Sequence, residues 1–145
     1  MDTTITQYVL NHLNWLAILV AGVAYWMLGA LWFSALFGKV WAAEMEKIGI
    51  KIQPPAGGKM ARMYLTTLFY NILASLGMAI LIVALGVTMV GDGIKVGLMV
   101  GILFSAATQL QTTLWEGRSM KLTAIDVTYP ILGTVLCSAI LTFWQ

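Results

Sequence analysis

The residues that could do chemistry are few. The chain has 145 residues, with six Asp or Glu, eight Lys or Arg, one histidine and one cysteine. His12 has no second histidine and no carboxylate cluster at metal-binding spacing, and no glycine-rich phosphate loop follows any predicted element. Cys137 lies inside an apolar run, so it has neither a disulfide partner nor zinc-type spacing and reads as a small packing residue. An acid–base reading would have to use Glu116, Arg118 and Asp126, which match no recognisable catalytic template. The expectation is therefore a protein that is not an enzyme and takes no cofactor or metal.

The same residues make more sense as a polar cluster at the end of a helical bundle. Glu116 closes one apolar run, where a negative charge opposes the helix dipole and implies a partner such as Arg118, Arg62 or Lys39. Gly117 suits a left-handed helix stop and Ser119 an N-cap for the next run. Asp126 lies just inside that run, within reach of Arg118 or Lys121. Pro130 cannot donate to the Asp126 carbonyl, which predicts a kink and a carbonyl satisfied by Thr123 or water. With Asn71 and Gln109 deeper in their runs, the candidate cluster is Lys39, Asn71, Gln109, Glu116, Arg118 and Asp126, around a polar vestibule or as interhelical glue.

The elements that position these groups are set by composition. At 60% hydrophobic and 10% charged residues, the chain belongs in lipid rather than water. Four uncharged runs are each long enough to cross a hydrocarbon core of roughly 30 Å, giving spans of about 13–38, 63–87, 94–115 and 122–144 in one all-α domain, 1–145. The first run lacks a basic leader and is expected to stay in the mature protein. Gly91-Asp92-Gly93 reads as the turn of an antiparallel hairpin between spans two and three. Lys39, Lys47, Lys51, Lys59, Arg62, Arg118 and Lys121 lie in the connections on one side against Lys95 on the other. The excess assigns those two connections to the cytoplasm and both termini to the outside. Trp15 and Trp144 would mark the outer level, Trp41 and Trp115 the inner one.

Within the first connection, Trp41, Met45 and Ile48 recur at helical spacing while Glu44, Lys47 and Lys51 take the opposite side. This predicts a short interfacial helix over Val40–Ile48, resting its apolar side on lipid and ending at Gly49. Pro54-Pro55-Ala56-Gly57-Gly58 reads as a turn before span two. Lipid gives helices no hydrophobic reason to meet, so small residues mark where backbones approach. Gly93, Gly97, Gly101 and Ser105 form a strict four-residue stripe, extended by Gln109. Span one carries Gly22 and Gly29 on one face and Ala30, Ser34 and Gly38 on another, and span four adds Gly133. So many small residues in so small a bundle point to a self-associating protein.

Two stretches carry a resemblance. Asn14-Trp15-Leu16-Ala17, Leu28-Gly29-Ala30-Leu31-Trp32-Phe33-Ser34 and Phe37-Gly38-Lys39-Val40-Trp41 resemble the opening of the bacterial membrane family called domain of unknown function 1761. Glu116-Gly117-Arg118-Ser119-Met120-Lys121-Leu122, Tyr129, Ala139-Ile140-Leu141 and Trp144 resemble its second half. The resemblance implies a small multi-spanning protein and supplies no activity or site. The function expected is a non-catalytic homo-oligomer of the bacterial cytoplasmic membrane, a pore or carrier for a small solute or lipid. The alternative is an accessory or scaffold subunit bound to another membrane protein. The scattered basic residues exclude a nucleic-acid surface.

Overall fold

The computed structural model describes residues 3–53 and 57–145. Every regular element among them is helical: α1 (Thr3–Asn11), α2 (Trp15–Leu36), α3 (Gly38–Lys47), α4 (Gly58–Ala84), α5 (Val90–Glu116) and α6 (Met120–Phe143). The four helices α2, α4, α5 and α6 are long and apolar enough to cross a membrane, as a multi-pass protein requires. α4 begins before residue 63 and carries Lys59 and Arg62 in its first turns. α1 is a short amphipathic helix that sequence reading passed over, and it packs on α4.

α6 is the hub, packing against α2, α3, α4 and α5. It buries Gly133, Thr134, Cys137, Ser138, Leu141 and Thr142, a seam of small and polar side chains suited to close backbone contact. Its hydroxyls stay satisfied because Ser138 and Thr142 donate to carbonyls one turn back, and Thr134 donates to the Gly97 carbonyl of α5 at 2.9 Å. On the other side of α2, Ser75 donates to the Ile18 carbonyl at 2.9 Å. The outward surface, including Leu65, Phe69, Leu103, Phe104 and Leu114, is apolar and exposed.

The glycine stripe is used inside the chain. A Cβ on Gly93 would meet Thr142 at 2.6 Å, one on Gly97 would meet the Ser138 hydroxyl and the Thr134 carbonyl, and one on Gly101 would meet Ile131 Cα at 2.8 Å. Within the chain, α6 occupies this stripe. Its register also breaks where α5 forms a π turn over Gly101–Ala106. One added residue per turn shifts the buried position from Ser105, half-buried, to Ala106, and Gln109 drops out of the stripe. Gly22 packs on Ile72 of α4, Gly29 on the Tyr129 hydroxyl, and Gly133 receives the Tyr25 ring. Ala30 and Ser34 remain exposed, with the Ser34 hydroxyl bonded back to the Ala30 carbonyl.

Two further expectations change, the position of the turn between spans two and three and their pairing as a hairpin. Gly91 and Gly93 lie in the first turn of α5, not in a turn between helices, and Asp92 beside them suits the positive end of that helix and pairs with Lys95 at 2.7 Å. The chain instead reverses over residues 85–89, with Gly86 at φ +64°. α4 and α5 scarcely touch, because each leans on α6 rather than pairing as a hairpin. α6 runs as one helix through Pro130. The proline-rich turn at Pro54-Pro55-Ala56 lies outside the described residues. The termini of the bundle are tied together, Asn14 donating to the Trp144 carbonyl at 3.1 Å and Gln145 to the Val87 carbonyl at 2.6 Å.

The α5–α6 contact gives a direct expectation. Gly97→Ala forces the two backbones apart and costs about 1–3 kcal/mol as overpacking does. Gly77→Ala, where nothing lies within 4 Å, is neutral or stabilising by up to about 1 kcal/mol through helix propensity. Thermal melting of the two variants in detergent micelles separates them.

Candidate functional site

The polar site lies where α3, the α5–α6 connection and the first two turns of α6 meet. Gly117 takes the left-handed conformation, φ +62° and ψ 33°, that ends α5. Ser119 then caps α6, its hydroxyl accepting from the Leu122 amide at 3.2 Å. Both roles follow from residue type, and together they aim Arg118 along α6. Its Nη1 donates to Asp126 Oδ2 at 2.5 Å and its Nε to Glu116 Oε2 at 2.6 Å. One guanidinium thus joins the end of α5 to the second turn of α6. With side-chain exposures of 17% for Arg118 and 12% for Asp126, that pair is largely removed from water, whereas Glu116 at 46% remains hydrated.

α3 supplies the rest. Trp41 donates its indole N–H to Asp126 Oδ1 at 2.9 Å, so both oxygens of that carboxylate are engaged. Three residues on, Glu44 accepts from the Ser119 hydroxyl and from Lys47, each at 2.5 Å. Contrary to the sequence expectation, Glu44 is buried beside Met45 rather than turned outward. α3 packs on α6, so the expectation of an apolar side resting on lipid is likewise replaced by docking onto the bundle. The reason is electrostatic: a carboxylate at the N-terminus of α6 meets the positive end of the helix dipole as well as its two donors. The hydrogen bonds from Lys47 and then Ser119 hold the Glu44 carboxyl below its usual range, with burial opposing them.

An aromatic file extends inward from this cluster. The Trp41 ring stands 5.4 Å from Phe33, Phe33 stands 5.2 Å from Tyr129, and Tyr129 stands 5.3 Å from Tyr25. Asn71 of α4 lies near the Tyr129 hydroxyl. The Trp32 indole donates at 3.1 Å to the Ile125 carbonyl, next to the carbonyl that Pro130 leaves without its helical donor.

Of the six residues expected to cluster, the structure brings together Glu116, Arg118 and Asp126. Asn71 joins only through the aromatic file. Lys39 is exposed on α3 and enters none of these hydrogen bonds. Gln109 is half-buried two turns back along α5, about 10 Å from Glu116 at the α-helical rise. Trp41 and Glu44 were missed as site residues. Their i, i+3 spacing places both on one face of a helix, and that was the available signal. Among the described residues no group of three His, Cys, Asp or Glu side chains could hold a metal ion. What the arrangement does chemically is neutralise charge: two acids share one arginine, and a third acid has its own lysine.

Arg118→Met leaves the Asp126 carboxylate nearly buried with one donor and costs about 2–3 kcal/mol, while Glu116→Gln at an exposed pair costs under about 1 kcal/mol. Chemical unfolding in micelles reads the difference. For Glu44 the sign is fixed by its lowered value in the folded protein. Its contribution is complete above the ordinary carboxylate range and is lost as pH falls through the folded value. Protection over α3, referenced to intrinsic amide exchange at each pH, is therefore flat at neutral pH and falls only in acid below about pH 4, a fall absent in Glu44→Gln.

No curated protein and no solved structure matches the chain. A family described as protein of unknown function, DUF1761, matches residues 16–142, from the second residue of α2 to the penultimate residue of α6, and so takes in the whole four-helix bundle and the polar site. The chain belongs to the DUF1761 family.

Proposed function

We propose that the chain is a non-catalytic membrane protein that works as a homo-oligomer and passes a small solute or lipid along a path between protomers. The observation that supports this is Gln111. It is exposed, its side-chain amide makes no hydrogen bond among the described residues, and it lies one turn deeper in α5 than the exposed Trp115. An amide left without partners at that depth is costly in lipid, and a neighbouring copy or a water-lined path removes the cost. The interior of one protomer offers no comparable polar lining, because its seam is filled by glycine contacts and satisfied hydroxyls. Ala30 and Ser34 give a second exposed small-residue face on α2 where another helix could approach closely. In this reading the α3 end faces the cytoplasm of a bacterial cell, as the basic connections favour.

The second reading, an accessory subunit, uses the same surface: a helix of a different membrane protein would cover Gln111 and the Ala30–Ser34 face. Native mass spectrometry of the protein extracted with its lipid distinguishes the two. The expected result is a closed homo-oligomer that Gln111→Leu redistributes toward other subunit numbers. A stoichiometric foreign chain moves the assignment to the accessory subunit. Reconstituted vesicles that pass ions and amphiphilic cations no faster than empty ones would sink the carrier reading.

A further inference from the structure

We propose that α3 is a clasped strap that opens and closes over the start of α6, with Trp41–Asp126 and Glu44–Ser119 as its two fastenings. Trp41 and Glu44 share one face of α3, and Ser119 and Asp126, seven residues apart, share one face of α6. Trp41 meets the deeper residue and Glu44 the cap, so α3 runs back along α6 and fastens at two separate points.

The balance of forces on α3 favours a movable element. Met45 is its one hydrophobic side chain in the buried core, while Val40 is exposed and Trp41 and Ala42 are only half-buried. The hold is therefore mainly polar, through groups that water can replace. At its N-terminal side the strap hangs from a π turn, Trp32–Leu36, closed by the Phe37 amide on the Trp32 carbonyl at 2.9 Å. Gly38 follows, where a Cβ would stand 2.8 Å from the Phe33 carbonyl oxygen, a space only glycine fills.

Opening frees Asp126 Oδ1 and the Ser119 hydroxyl, removes the Glu44 anion from the N-terminus of α6 and uncovers Met45. The charged groups facing the fastenings are Lys47 on α3, and Arg118 and Lys121 at the α5–α6 connection and α6. The clasp goes beyond the carrier reading and does not depend on it.

The test places a reporter under the strap. Met45→Cys protein in nanodiscs is treated with a water-soluble, membrane-impermeant maleimide, and Cys137, buried in the core, serves as internal control. The expected result is slow labelling at position 45 that quickens at least tenfold when Trp41→Phe or Glu44→Gln is added, with Cys137 unmodified throughout. Equal rates with and without these substitutions overturn the proposal, as does labelling of Cys137 in step, which would mean the whole bundle opens. Amide exchange over residues 38–47 with Met45 intact repeats the comparison, and protection there that Trp41→Phe leaves unchanged also overturns it. A null flux assay bears on the carrier reading and leaves this result standing.

Discussion

Close backbone approach between α5 and α6 is the contact on which the rest of the bundle depends. In lipid no hydrophobic effect gathers the helices, so the attraction between them is dispersion at short range together with interhelical hydrogen bonds. Gly93, Gly97 and Gly101 let α5 lie against the hydroxyl-lined seam of α6, near enough for Thr134 to reach the Gly97 carbonyl. With α5 fixed there, the opposite face of α6 presents Gly133 to the Tyr25 ring and Cys137 to the Ala21 carbonyl of α2. α4 joins α2 through Gly22 and Ser75. The bundle is thus built outward from one helix by small residues and hydroxyls rather than inward by large apolar ones.

That construction explains why the polar site sits at one end. A seam this tight has no room for ionised groups, and the acids and bases collect where the helices stop and the backbone groups of their ends need partners. Arg118 is held by the geometry of one helix stop and one helix cap, and α3 closes over both. The π turns at Trp32–Leu36 and Gly101–Ala106 each add a residue within a span, and each changes which face looks inward beyond it. The first of them leads directly into α3, whose Trp41 reaches Asp126.

Membrane character and the number of long apolar helices were legible in the sequence because they depend on runs of residue type. Gly117 as a helix stop, Ser119 as a cap and Gly49 at the end of α3 were readable from local backbone chemistry. The pairing of Arg118 with Glu116 and Asp126 was anticipated because all three lie within eleven residues of chain. Glu44 was placed on the wrong side of its helix because periodicity alone assigns a carboxylate to water, and only the donors on α6, 75 residues away, reverse that preference.

By itself the sequence determined that this chain folds into helices, four of them long and apolar enough to cross a bilayer. The tertiary structure decided what the small residues are for. Spacing cannot say whether a glycine face meets its own chain or another, since both satisfy the same steric rule. Only the arrangement of α6 against α5 assigns Gly93, Gly97 and Gly101 to the inside and leaves Ala30, Ser34 and Gln111 outside. The tertiary structure also decided which acid meets which base, because an ion pair depends on separation in space, and α3 comes within reach of Asp126 only after the bundle has formed.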